Sequence, residues 1–192
     1  MTQPAKVLAP LDVRRVCARA RRGRFALRNH VIVLLSFKAG LRACEIAGLT
    51  WSMVLTARGR VSARIAVANT IAKNGRGRSV PLHAELATAL ENLHRAEGQP
   101  VDGPVVRSIR GGHMTPRSIV NWFAAIYDEL GLIGCSSHSG RRTFITTAAR
   151  LVAKTGGSLR DVQELAGHSA LTTTERYIEG DRDAQRKLVR MM

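Results

Sequence analysis

Apolar residues recur at helical spacing through most of the chain. Segments 11–22 and 24–40 carry apolar positions three and four residues apart, which predicts two helices, and Gly40 ends the second. Similar spacing predicts helices at 83–96, 116–130, 138–154 and 158–167, a brief helix at 42–49 and a last pair of short helices near the end. Ser158 and Gly167 are typical residues for the start and the end of one of them.

One stretch, residues 51–82, has a different pattern. It is rich in β-branched residues, and Gly59 and the pair Asn74-Gly75 indicate turns, so it predicts a small antiparallel sheet with a hairpin. The expected fold class is therefore mainly α with a small antiparallel β-sheet (α+β). We expect one domain over residues 10–180, with a short tail at 1–9 and another at 181–192.

The strongly positive net charge of the chain indicates a negatively charged partner. The 192 residues include 30 Lys and Arg against 14 Asp and Glu, a formal net charge of +16, which favours nucleic acid first and an acidic membrane surface second. The longest apolar run, 30–37, is too short to cross a bilayer, and residues 1–15 lack a secretory pattern. The three cysteines are scattered, so neither a disulfide framework nor a zinc site is indicated and a cytoplasmic location is expected.

Two basic segments lie in the first half of the chain. In "AGLRACEIAGLTW", Arg42 precedes Glu45 by three residues, which by itself is also typical of a solvated ion pair at a helix start. In "TIAKNGRGRSVPL", the cations Lys73, Arg76 and Arg78 surround the predicted turn. This hairpin is either a solvated basic tip or a projection narrow enough to enter a nucleic-acid groove.

Two further segments lie in the second half. In "SSHSGRRTFITTAARL", offsets of three and four place His138, Arg141 and Arg142 on one face of a first helical turn, which suits a phosphate. The alternative is a half-buried histidine beside two surface arginines. In "ELAGHSALTTTERYIEG", His168 follows a helix-ending glycine and Tyr177 lies nine residues later, where a tyrosine commonly only packs.

Taken in order, these groups resemble the catalytic domain of the tyrosine recombinase (phage integrase) family. The matching pieces are "GLRACEIAGLTW", the hairpin lysine, "HSGRRTF" and "LAGHSALTTTERY", and they extend over about residues 10–180. The resemblance implies the DNA breaking-rejoining catalytic core as the fold. It also implies a site-specific DNA recombinase or integrase that works through a 3′-phosphotyrosyl intermediate.

The resemblance also implies a role for each residue. Tyr177 would attack the DNA phosphate, and because a phenol normally has a pKa of about 10, it needs help at neutral pH. The other implied roles are a clamp on the phosphate oxygens by Arg42 and Arg141, a general base at His138, a proton donor to the 5′-oxygen at Lys73, a hydrogen bond from His168 and support of an arginine by Glu45. Candidate DNA-binding residues are Lys73, Arg76, Arg78 and Arg142.

Partners and cofactors follow from the same resemblance. The expected partner is double-stranded DNA with specific recombination sites, bound by a homo-oligomer that is expected to be a tetramer. In this tetramer the 181–192 tail either docks on a neighbouring protomer or folds back on its own domain. No metal is expected, because fixed cations can stabilise the negative charge of the reacting phosphate in its place. No cofactor is expected, because the phosphotyrosyl bond retains the energy for rejoining and the sequence has no P-loop that would bind ATP.

The sequence departs from the family pattern in three places. Gly140 stands where the family often has Leu, and Arg142 stands where it often has His. The family also usually carries a helical domain ahead of the catalytic one, so the chain is either a short recombinase or a fragment. Two alternative functions stay open, a type IB topoisomerase-like relaxing enzyme and a catalytically vestigial DNA-binding accessory module.

Overall fold

The computed structural model describes residues 5–177 and 189–190. Helices dominate this part of the chain, as predicted. They are α1 (Pro10–Ala20), α2 (Ala26–Lys38), α3 (Ala43–Gly48), α4 (Ala84–Ala96), α5 (Pro116–Glu129), α6 (Ser139–Leu151), α7 (Leu159–Ala166) and α8 (Leu171–Glu175). The two strands are β1 (Arg64–Val67) and β2 (Arg78–Pro81).

Helix α2 forms the centre of the core. Its residues 31–37 are all buried, and the helix packs against α1, α4 and α6. The continuous apolar run "VIVLLSF" explains this position, because a helix that is apolar all round must be covered on every side. Glycine at 40, with a φ of +63°, then turns the chain sharply toward α3.

The two strands pair antiparallel in the register Ile65 with Val80 and Val67 with Arg78. Ile65, Val67 and Val80 form the buried face of this sheet. The turn predicted at Asn74-Gly75 is present as the 3₁₀ turn Lys73–Gly75, within a connection that holds all of residues 68–77. The sequence signal was correct for a turn but did not show how many residues the connection holds.

The predicted fold class, mainly α with a small antiparallel sheet, is confirmed. The predicted caps form as well: Ser158 and Asp161 make a reciprocal capping box at α7, and Gly167 ends that helix in the left-handed conformation. The helix expected over 138–154 ends as an α-helix at Leu151, followed by a 3₁₀ turn. The second helix of the expected final pair and the 181–192 tail fall almost entirely outside the described residues.

Two other features of composition have structural counterparts. Cys17, Cys44 and Cys135 are all unpaired. Within residues 5–177 and 189–190, none of the helices has the length and apolar character needed to cross a bilayer.

Candidate active site

Arg42 and Glu45 stand at the start of α3. Glu45 is fully buried and accepts hydrogen bonds from the Arg42 backbone N–H (2.8 Å) and from Arg42 Nη1 (3.1 Å). The carboxylate thus satisfies a free N–H of the helix start and fixes the adjacent guanidinium. The Arg42 side chain keeps 17% of its surface exposed, which leaves it open to a ligand.

Arg78 also binds Glu45, and this corrects the sequence prediction. It was predicted to contact DNA from a hairpin tip, but its side chain is only 7% exposed. Its Nη1 and Nη2 donate to the two Glu45 oxygens at 2.7 and 2.9 Å, and its Nε donates to the Leu165 carbonyl at 2.9 Å. The long connection makes Arg78 the first residue of β2, where it pairs with Val67 and turns inward rather than toward solvent.

The pKa of Glu45 reflects these contacts. Burial would raise the pKa of this carboxyl, but the hydrogen bonds and charges of Arg78 and Arg42 outweigh burial and hold the pKa below its ordinary value. Glu45 is therefore a charged, fully hydrogen-bonded group that joins two guanidiniums.

Arg141 lies in the first turn of α6 and is only 3% exposed. Its Nη1 donates to the Gly40 carbonyl, and its Nη2 donates to the Ala166 carbonyl and to His168 Nε2. Burial, followed by the charge of Arg42, lowers the pKa of Arg141 to about 10, so it still carries its charge at neutral pH. The contact with Gly40 places Arg141 beside the segment that carries Arg42.

Gly140, one of the departures from the family pattern, has a packing reason. A Cβ at this position would lie 2.2 Å from Ser36 Oγ and 2.9 Å from Ser36 Cβ, on α2. The absence of a side chain lets the first turn of α6 approach α2 closely. This contact sets the depth at which Arg141 enters the site.

The hydrogen bonds of His168 define its tautomer. Because a guanidinium only donates, His168 Nε2 accepts from Arg141 at 3.1 Å and the ring proton lies on Nδ1, which donates to Thr174 Oγ1 at 2.9 Å. Burial, together with the charges of Arg141 and Arg42, lowers the pKa of His168 to about 4. The imidazole is therefore neutral near pH 7.

Tyr177 lies two residues after the end of α8 and is partly buried against a second, small core of Ile145, Val162 and Ala166. Its ring stacks on the His168 ring with a centroid separation of 5.5 Å. The Arg142 guanidinium lies 5.5 Å from the same ring. Tyr177 thus stands close to Arg141 through their shared neighbour His168, whereas Tyr127 is buried in the main core.

His138 and Lys73 complete the group at its open side. His138 occupies the N-cap position of α6 without a side-chain capping hydrogen bond and is exposed. Lys73 is exposed on the connection between the strands. Partial burial, and then the charges of Arg141, Arg42 and Lys73, lower the pKa of His138, so these three cations lie within electrostatic range of the imidazole. Arg76 is exposed on the same connection.

Direct contacts therefore join Arg141, His168 and Tyr177, and Glu45 joins Arg42 to Arg78. Arg142 lies over the Tyr177 ring. Sequence reasoning missed Thr174, which is fully buried and holds the His168 ring. Three consecutive threonines precede Glu175, and no local signal separates the one that faces His168 from its neighbours.

One group of potential metal ligands lies elsewhere in the described part of the chain. Ligand atoms of Cys17, His30 and Glu85 lie within 4.8 Å of one another. Arg21 donates to His30 Nε2 (3.1 Å) and to Glu85 Oε1 (3.2 Å), so a guanidinium already supplies the positive charge there. This group joins α1, α2 and α4 and contains none of the candidate active-site residues.

Sequence comparison places the chain among known proteins. The sequence model of the phage integrase family matches residues 6–183. The chain is 30% identical over 155 residues to the tyrosine recombinase XerC of Pelobacter propionicus, covering 80% of this chain and 48% of that protein. The XerC of Myxococcus xanthus is 30% identical over 162 residues, covering 80% of this chain and 50% of the relative. The chain thus spans about half the length of these relatives.

Solved structures share the fold. The crystal structure of XerA recombinase superposes with a TM-score of 0.75 at 21% identity, over 98% of this chain and 65% of that one. The XerH site-specific recombinase, bound to its difH substrate in a pre-cleavage complex, gives a TM-score of 0.72 at 20% identity, over 98% of this chain and 55% of that one. The family match covers almost the whole chain, and the chain accordingly belongs to the phage integrase family, the tyrosine recombinases.

Proposed function

We propose that this chain is the catalytic domain of a site-specific DNA recombinase that cuts and rejoins strands through a 3′-phosphotyrosyl intermediate. One observation carries the proposal. Arg141 binds His168, His168 stacks on Tyr177, and Arg42 lies close enough to lower the pKa of Arg141. Two guanidiniums, an imidazole and a phenol close together form a suitable set for a phosphodiester.

The proposed cleavage step begins at Tyr177. Its phenol oxygen forms a bond to phosphorus while the bond from phosphorus to the 5′-oxygen breaks. His138 takes the phenol proton, which fits its neutral form, since its pKa lies below the ordinary value for histidine. Lys73, on the exposed connection, gives a proton to the departing 5′-oxygen. Reversal of these steps on a new 5′-hydroxyl rejoins the strand.

Two arginines stabilise the negative charge of the transition state. Arg42 and Arg141 clamp the two non-bridging oxygens, and Glu45 holds Arg42 in place from behind. His168 first supports Arg141 as a hydrogen-bond acceptor. It can donate to a phosphate oxygen only after Nε2 becomes protonated, a change that the Thr174 hydroxyl allows because it can either accept or donate.

The proposed partner is double-stranded DNA with specific recombination sites. The net charge of +16 and the exposure of Lys73 and Arg76 support this partner, and several relatives of the same fold were solved with DNA. We place Lys73, Arg76 and Arg142 at the DNA backbone, and we propose a homo-tetramer on DNA. The 181–192 tail, which was predicted to dock on a neighbour, lies almost entirely outside the described residues. The absence of a cofactor, the absence of a metal and the cytoplasmic location stay predictions.

The test is capture of the covalent intermediate. The protein is incubated with a pool of nicked duplexes of randomised sequence, and denaturing gels are examined for a protein–DNA adduct. The wild type should form an adduct whose DNA carries a free 5′-hydroxyl, and Tyr177→Phe should form none while its affinity for the duplexes is unchanged. Binding without an adduct in the wild type contradicts the proposal and favours an accessory module. Relaxation of a supercoiled plasmid that contains no paired sites would instead favour a topoisomerase-like enzyme.

A further inference from the structure

Arg78 connects two parts of the active site that are distant in sequence. On one side its guanidinium forms a two-pronged contact with Glu45, at 2.7 and 2.9 Å. On the other side its Nε donates to the Leu165 carbonyl, near the end of α7. One side chain on β2 therefore links the start of α3 to the turn that precedes His168.

The Glu45 side of this link determines where Arg42 points. Glu45 is fully buried, and its two oxygens accept two hydrogen bonds from Arg42 and two from Arg78. A carboxylate has about four acceptor positions, so every one of them is used. If Arg78 were lost, Glu45 would keep only its contacts to Arg42 and could rotate with it.

The α7 side of the link determines where His168 and Arg141 meet. A Cβ at Gly167 would lie only 3.0 to 3.3 Å from the Arg78 side chain, so this turn rests directly on the Arg78 guanidinium. The preceding carbonyl, that of Ala166, accepts from Arg141, and the following side chain, His168, also accepts from Arg141. The turn at 165–168 is thus held between two guanidiniums.

Arg78 itself has little surface for a substrate. Its side chain is 7% exposed, and each of its three nitrogens already donates to a protein acceptor. By contrast Arg76, two residues earlier on the same connection, is exposed. The two arginines therefore offer a matched pair, one buried in the protein and the other open to solvent.

We propose that Arg78 is a positioning residue for strand cleavage, which aligns Arg42 and the His168 turn around the phosphate without touching DNA. The inference rests on the proposed recombinase function. In this proposal Arg78 acts through the planar geometry of its guanidinium and not through its charge alone. Lysine carries the same charge but lacks the planar pair of donors, so it can bind only one Glu45 oxygen and cannot also reach Leu165 in the same geometry.

The experiment compares Arg78→Lys with Arg95→Lys, at an exposed arginine of α4 outside the site, and with Arg76→Ala in the full chain. Three quantities are measured for each: the thermal midpoint, the Kd for duplex DNA as a function of salt, and the single-turnover rate of adduct formation at saturating protein. For Arg78→Lys we expect an unchanged Kd and salt dependence but a cleavage rate roughly 10- to 100-fold lower, as for a small misplacement of reacting groups. Arg95→Lys should bind and cleave normally, and Arg76→Ala should bind more weakly with a shallower salt dependence.

A second readout separates positioning from general weakening of the fold. If Arg78 acts through Arg42, the rate losses of Arg42→Lys and Arg78→Lys should not multiply in the double variant. Fully multiplicative losses, a wild-type cleavage rate in Arg78→Lys, or a salt dependence that changes as in Arg76→Ala would each overturn the proposal. Arg78→Gln is the second variant if Arg78→Lys does not fold, and failure of both to fold would show that Arg78 holds the fold and not the site. Absence of any wild-type adduct would instead contradict the proposed function.

Discussion

Substitution of Gly140 by alanine tests the close contact between α6 and α2. The added Cβ would lie 2.2 Å from Ser36 Oγ and 2.9 Å from Ser36 Cβ. The hydroxyl can rotate away, but the contact between the two Cβ atoms is relieved only if the helices separate. Overpacking of this kind costs about 1–3 kcal/mol, and the better helix propensity of alanine returns about 1 kcal/mol.

The expected result for Gly140→Ala is a net loss of up to about 2 kcal/mol in the free energy of unfolding. For a chain of this size a loss of about 2 kcal/mol lowers the thermal midpoint by roughly 4–8 °C. Arg141 is the next residue and moves with the helix, so adduct formation should also slow. Thermal unfolding followed by circular dichroism measures the first effect, and the single-turnover adduct assay measures the second.

Two variants control the experiment. An added Cβ at Gly112 would meet no atom within 4 Å, so Gly112→Ala should change stability by less than about 0.5 kcal/mol. Ser36→Gly removes the two nearest atoms and leaves Phe37 Cδ2 at 3.0 Å, so the double variant with Gly140→Ala should show a favourable coupling of about 1 kcal/mol. A thermal midpoint for Gly140→Ala at or above that of the wild type, or no coupling with Ser36→Gly, would refute this packing argument.

Three further predictions concern the hydrogen-bonded groups of the site. Glu45→Gln leaves two guanidiniums without their shared buried charge and should lower the free energy of unfolding in urea titrations by about 3–5 kcal/mol; a smaller loss than 1 kcal/mol would contradict the prediction. The pKa of His168 falls from 6.5 to about 4 on folding, so between these two pH values the unfolded state binds more protons than the folded state. The thermal midpoint should therefore fall as the pH is lowered from 6.5 to about 4. His168→Gln should make this fall shallower, and an unchanged dependence of the midpoint on pH would contradict the prediction. Thr174→Val leaves the His168 Nδ1–H without its acceptor and should cost about 1–3 kcal/mol in thermal unfolding, with Thr174→Ser close to wild type; equal stabilities of the two variants would argue against this hydrogen bond.

Much of the fold could be predicted because its signals are local. The helical spacing of apolar residues and the Ser158 and Gly167 limits of α7 act within a few residues, and each appears in the structure near its predicted position. The family could be predicted for a similar reason, because its motifs are short and stand in a fixed order along the chain. The match of the family model to residues 6–183 confirmed this prediction. The length of the connection before β2 was not predicted, since a turn signal does not state how far pairing extends from it.

The order and chemical type of the candidate groups, from Arg42 to Tyr177, were therefore determined by the sequence alone, together with the helices that carry most of them. Tertiary structure decided which cations face solvent. Arg76 and Arg78 differ by two residues in the same basic segment, yet only Arg78 is buried, because the register of β2 directs its side chain onto Glu45. It also decided that Gly140 and Thr174 matter, since a close helix contact and a buried hydroxyl acquire meaning only from the residue across from them. Such long-range partners leave no periodic signal in a single sequence.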